Sequence, residues 1–389
     1  MHPALTQNDP QRWPAPRAMW QPPLFVISLL VCFWGAIAWP AAFWPAGLVA
    51  IAFWASISLG CLGIGLLHHL TGGFWGWGIG RELSAAISTI PLTGLFLLPL
   101  CFASRWIFPW AHSPKELNPH QQIYLAPAFV LLRTIVEWVF WSGLALWHVN
   151  AYRKTARDPT FRPSGTVAAV GLIFFWFSVT SASIDGLMSL EPTNNSSMFG
   201  AIETTGCVVA GLAWILLLRW RHSASSSHEV QISHDLGNLL FAFNFFWLYL
   251  AFSQYIIVWA ADLPHETQWH AARQRGSAGV VGIILLIIHF IVPFGLLLSA
   301  NLKRNPRRLA VVAAILLAAR LTDFCWTVLP ACPGVDWRTA IGLLATSSLF
   351  GTIWALAYCY GDSGLPALDP LRLSRIDDDS AGTPVEVSP

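Results

Sequence analysis

Six ionisable residues stand inside stretches apolar enough to cross a membrane, and their types and spacing could move protons. Arg133 and Glu137 lie four apart in one stretch, on one helical face, where the two can pair. Asp185 comes towards the end of the next, in Ser181-Ala-Ser-Ile-Asp185-Gly-Leu-Met-Ser-Leu-Glu191-Pro192, and Glu203 near the start of the one after. Arg320 and Asp323 share a later stretch. A charged group inside a span costs roughly 2.5–3.5 kcal/mol on insertion scales, so each needs a reason to be there. Arg133 with Glu137 and Arg320 with Asp323 read either as static pairs tying helices together or as members of a proton path. Asp185 and Glu203 have no cation on their own helix, which favours a protonatable role. His289, inside another stretch, reads as a hydrogen-bonded structural residue or as a proton relay.

The elements that must carry these groups follow from composition. Of 389 residues, 55% are hydrophobic and only 11% charged, against roughly 25% charged in a soluble domain. With 22 Trp and 24 Phe, one water-soluble core could not hide this apolar surface. That excludes a soluble enzyme, a disordered chain and a disulfide-stapled secreted domain. The apolar runs are continuous rather than alternating, which excludes a β-barrel. The expected fold class is an all-α polytopic membrane protein.

Windows of about 20 apolar residues predict ten transmembrane helices over 24–39, 46–67, 83–104, 126–148, 166–189, 199–218, 237–260, 277–299, 307–329 and 339–360. They make a membrane domain over 24–360, between a polar N-terminal segment 1–23 and a polar tail 361–389. Fifteen Lys and Arg fall on one side of these spans and five on the other, which puts both termini in the cytoplasm. In that orientation the six buried charges occupy the outer half of the bilayer. A net charge of +2 gives no reason to expect a nucleic-acid partner.

Redox centres are not expected on this chain. Its seven cysteines form no CxxC or CxxCH, so iron–sulfur ligation and covalent haem attachment are excluded as readings. Of twelve histidines only His289 lies well inside a span, and the adjacent His68 and His69 point in different directions. No metal site is expected. Electrons, if they matter, travel in another subunit. A quinone or quinol is the one cofactor to consider, and it needs an apolar crevice with a few polar groups. Gln254 and Tyr255, beside Trp259, are the candidates, although Tyr and Trp at that depth also form the ordinary aromatic belt. A shift of four spans lays the second to fifth helices over the sixth to ninth in the same direction, bringing Asp185 onto Asp323.

Several motifs carry a family likeness. They are His68-His-Leu-Thr-Gly-Gly-Phe-Trp-Gly76, Arg81-Glu82-Leu-Ser-Ala-Ala, Asp185-Gly-Leu-Met-Ser-Leu-Glu191-Pro192 and the aromatic run Leu239–Tyr255. Trp259-Ala-Ala-Asp262-Leu-Pro264-His-Glu266, His289-Phe-Ile-Val-Pro293-Phe and Lys303-Arg304 follow in order. Together they resemble the ActF-type, NrfD-like membrane subunit of alternative complex III. The resemblance implies two four-helix bundles, roughly 46–189 and 199–329, with two peripheral helices beside them. It also implies a place in the inner membrane of a bacterium, inside a quinol-oxidising respiratory complex. The implied partners are an NrfD-like paralogue, a multihaem cytochrome c and an iron–sulfur protein, besides the lipid bilayer. Proton half-channels in this family make Glu137, Asp185 and Asp323 natural members of such a path, with Arg133 and Arg320 as charge partners. The chain departs from the family after the helix-5 acid, reading Asp185-Gly186 and then Pro192-Thr-Asn-Asn-Ser-Ser197.

Two other functions remain open at this level. A secondary transporter would show broken helices at the midplane with half-helix ends aimed at a ligand; Pro91 and Pro293 lie inside spans but neither has a Gly-rich interruption. A structural anchor subunit would use the buried charges only as ties.

Overall fold

The computed structural model describes residues 22–112, 117–192, 194, 196–221, 227–332, 334–366, 368, 370 and 373. Almost all of the N-terminal segment 1–23 and most of the tail 361–389 lie outside the described residues, as does Lys115. Among the described residues there is no strand, and the chain is an all-α polytopic membrane protein.

Nine helices among the described residues are long and apolar enough to span a membrane. They are α2 (Pro40–Thr71), α3 (Gly80–Phe102), α4 (Pro127–Arg157), α5 (Gly165–Gly186), α6 (Phe199–Leu218), α7 (Ser227–Ala261), α8 (Gly276–Leu297), α9 (Pro306–Val328) and α10 (Trp337–Ser363). The tenth expected span is α1 (Pro22–Ala38), apolar but only 17 residues long. At 1.5 Å per residue it reaches roughly 25 Å, short of a hydrocarbon layer about 30 Å thick. Helix starts follow local chemistry. Proline occupies the first turn of α2, α4 and α9, where its missing N–H is no loss. Asn305 caps α9 through the amides of Arg307 and Arg308, and Asp336 with Thr339 forms a capping box on α10.

Helices α2 to α5 pack together, α6 to α9 pack together, and α1 and α10 lie against one another beside α2. The two groups meet where α2 crosses α6. A Cβ on Gly60 would stand 1.8 Å from the Cys207 carbonyl oxygen, and one on Gly211 would stand 2.6 Å from the Cys61 amide. Only glycine lets the two backbones touch, the packing mode that lipid-embedded helices favour. Beside this crossing, Trp54, Trp214, Trp354 and Tyr358 pack in one aromatic group, with ring centroids 4.9–6.4 Å apart.

Two helices are irregular inside the apolar layer. α3 breaks at Ser88-Thr89, ahead of Pro91, and the Ser88 and Thr89 hydroxyls donate to the Ala85 and Ala86 carbonyls. Trp138 of α4 donates its indole N–H to the Pro91 carbonyl at 3.1 Å, in the space left by Gly94. α8 widens into a π turn over Leu286–Ile291, just ahead of Pro293, and that turn carries His289.

Candidate functional site

The buried charges gather into two clusters, one in each helix group, each set on a cavity. All lie at helix ends facing the connections that contain residues 103–126, 187–198 and 262–275.

In the first cluster Arg133 of α4 turns to Asp185 of α5. Its Nε donates at 2.7 Å and its Nη2 at 2.9 Å, one to each carboxylate oxygen. Nη2 also donates to the Tyr124 carbonyl at 2.8 Å, and the guanidinium lies over the Tyr124 ring. The in-helix pair with Glu137 allowed by sequence spacing is therefore not formed. The reason is geometric: a carboxylate on the neighbouring helix offers both oxygens to the planar fork, and bidentate pairs are the strong ones. Glu137 is left beside Ser181, buried, on the wall of a cavity of about 300 Å³ shared with Asp185 and Thr134.

In the second cluster Arg320 of α9, fully buried, bridges two acids. It donates to Asp323 on its own helix at 2.6 Å and to Glu203 of α6 at 2.5 Å. Its guanidinium also lies 4.1 Å from the Phe324 ring centroid. Gly206 makes room, because a Cβ there would stand 2.7 Å from the guanidinium carbon. Glu203 lacks an in-helix cation, as its sequence showed, but takes one from across the group.

Glu203 and Asp323 line a cavity of about 580 Å³ whose walls include Trp247, Phe252, Leu286 and Phe290. Gln254 and Tyr255 line the same cavity. The Ser196 hydroxyl donates to the Gln254 side-chain oxygen at 2.7 Å, and the Tyr255 ring meets His270 edge to face. His289 lies behind this wall, completely buried, its ring 3.8 Å from the Trp247 ring. Both His289 ring nitrogens, the Trp247 indole nitrogen and Arg320 Nε have no protein hydrogen-bond partner among the described residues. Buried polar atoms of that kind are normally satisfied by water.

Sequence reasoning missed Arg273, placing it with the loop cations. It ends a short helix, Pro264–Arg273, and is almost wholly buried at the cavity rim. It pairs with Glu191 at 3.0 Å, donates to the Trp326 and Thr327 carbonyls, and lies over the Trp269 ring. The Trp269-x3-Arg273 spacing was the available clue, since residues four apart stack on one helical face. His148 was also missed. At the opposite end of the molecule its Nδ1 lies 3.0 Å from His69 Nε2, with Ser84 on its other nitrogen, while His68 turns away to the Gly73 carbonyl.

His270 sits outside the spans. Burial, and after it the Arg273 guanidinium, hold its imidazole below the ordinary value. A depressed folded value means the contribution is complete above the unfolded value near 6.5 and is lost as pH falls. Protease cleavage within residues 264–275 is therefore expected to rise on acidification, and His270→Phe should flatten that rise. Equal cleavage at neutral and acid pH in the parent protein would refute it.

No protein-family model matches the chain, and no curated protein matches it.

Proposed function

We propose that the chain is the membrane subunit of a respiratory quinol:electron-acceptor oxidoreductase of alternative complex III type, conducting protons and receiving a quinone, with no redox centre of its own. The observation that carries this reading is the larger cavity. Gln254 and Tyr255 stand on its wall, and so do Glu203 and Asp323, the two acids that Arg320 bridges from behind. Its volume and apolar lining fall within the usual range for small-molecule sites, with the few convergent polar groups that fix orientation. A quinone headgroup fits the Gln254 and Tyr255 side chains as hydrogen-bond donors, and its isoprenoid tail fits the aromatic wall.

The chain's own residues then hold and pass protons. Each cluster has one guanidinium for two carboxyls, so charge balance in the apolar layer is met when each pair of acids keeps one proton. The unpartnered nitrogens of His289 and Trp247 offer places for water between the second cluster and α8. On this reading the face rich in Lys and Arg is cytoplasmic, with both termini there, in a bacterial inner membrane. An NrfD-like paralogue, a multihaem cytochrome c and an iron–sulfur protein are its partners.

A second reading, an anchor subunit, is favoured by the way Arg133 and Arg320 hold Asp185 and Glu203. One experiment separates the two. The assembly is purified from native membranes, its subunits are identified, and quinol-driven proton release is measured in vesicles. Asp323→Asn is expected to leave assembly intact and cut proton release per electron by roughly tenfold or more, the scale of losing a positioned proton carrier. Unchanged proton release, or co-purifying proteins with no redox centre, would overturn the proposal.

A further inference from the structure

The two acids of the first cluster are not equivalent. Asp185 gives both oxygens to Arg133, in a bidentate pair that leaves it the counter-ion of a fixed cation. Glu137, one turn along α4, forms no ion pair among the described residues, and the Ser181 hydroxyl stands beside its carboxyl. It is nevertheless on the wall of the smaller cavity, only 8% exposed. The cavity also reaches Leu131, which is 40% exposed on the outer face of α4 beside exposed Leu132, Ile135 and Val136. That apolar face is the one a bilayer covers, so the cavity opens towards lipid.

We infer that Glu137, and not Asp185, is the exchangeable carboxyl of the first helix group, reachable from the lipid phase by hydrophobic reagents. Asp185 is a positioning residue that keeps the Arg133 cation turned away from it. The inference deepens the proton-conducting reading above and rests on it for its purpose. The groups facing Glu137 are Arg133 and Thr134 on its own helix, Asp185 and Ser181 on α5, and, across the cavity, Cys101 of α3 and Ser104 just beyond its end. Tyr124 closes the side next to Arg133.

Dicyclohexylcarbodiimide tests this directly, because it partitions into lipid and adds only to a protonated carboxyl. The acid proton goes to one carbodiimide nitrogen while the carboxyl oxygen bonds the central carbon. The adduct then rearranges to an N-acylurea, so the whole reagent is retained and nothing leaves. The full chain in its native membrane is treated, digested and mapped by mass spectrometry. The expected result is addition at Glu137, with Asp185 unmodified. Asp185→Asn should lower the label at Glu137, because the freed Arg133 then faces a single acid, and Glu137→Gln should remove it. Label on Asp185 with Glu137 silent, or no label at Glu137 at any pH, would overturn the inference; the parent map decides even if a variant fails to fold. The outcome is separable from the function proposed above. Missing label in an assembly whose Asp323→Asn variant loses proton release would sink the Glu137 assignment alone. Labelled Glu137 with unaltered proton release would sink the conducting role alone.

Discussion

Arg320→Met is expected to leave almost no folded protein. The substitution keeps much of the side-chain length but strands Glu203 and Asp323 together in a site where the guanidinium is fully buried. Removing one partner of a buried ion pair typically costs 3–5 kcal/mol, roughly, a large part of a total stability of about 5–15 kcal/mol. The opposite change runs the other way. Glu203→Gln or Asp323→Asn alone removes the surplus carboxyl and should be tolerated, because one acid still faces one cation. The triple change Glu203→Gln, Arg320→Met, Asp323→Asn should recover folded protein, since a neutral, well-packed set replaces a broken one. Yield and monodispersity after detergent extraction read all three. Parent-like yield of Arg320→Met would show that the cluster's charges are not what holds α6 to α9.

Gly60→Val carries the second large effect. Its Cβ would stand 1.8 Å from a backbone carbonyl of α6, and a backbone atom cannot swing aside as a side chain can. The two helices must separate, opening the contact between the helix groups along its length. Overpacking costs typically 1–3 kcal/mol and more where nothing yields, so a loss of about 3 kcal/mol or greater is expected. Gly143→Ala in α4 is the control, with nothing within 4 Å of the new methyl. It should be neutral or raise the melting temperature slightly, through better helix propensity. If both variants melt like the parent, the close crossing of α2 and α6 is not a determinant of the fold.

The spans were legible because the bilayer fixes length and polarity in the chain itself. Even α1, too short to count with the rest, is visible as an apolar run. Partner choice across helices was not legible. Spacing along α4 points Arg133 to Glu137, but the rotation of α5 decides the matter by presenting both oxygens of Asp185. Glu203 looked solitary for the same reason, its cation arriving from a helix more than a hundred positions away. Gln254 and Tyr255 were singled out from their depth and type, and the structure places both on the wall of the larger cavity with Glu203 and Asp323. Arg273 and His148 were missed because hydropathy ranks a residue by its segment, while these two are buried by folding, at a rim and at a helix end.

The crossing at Gly60 and Gly211 and the rings packed beside it bear on how the molecule transmits force. Peptide units in direct contact leave no slack between the two helix groups at this point. The two helix groups are thus held in one register, and a load on one passes to the other through main chain rather than through side chains that could yield.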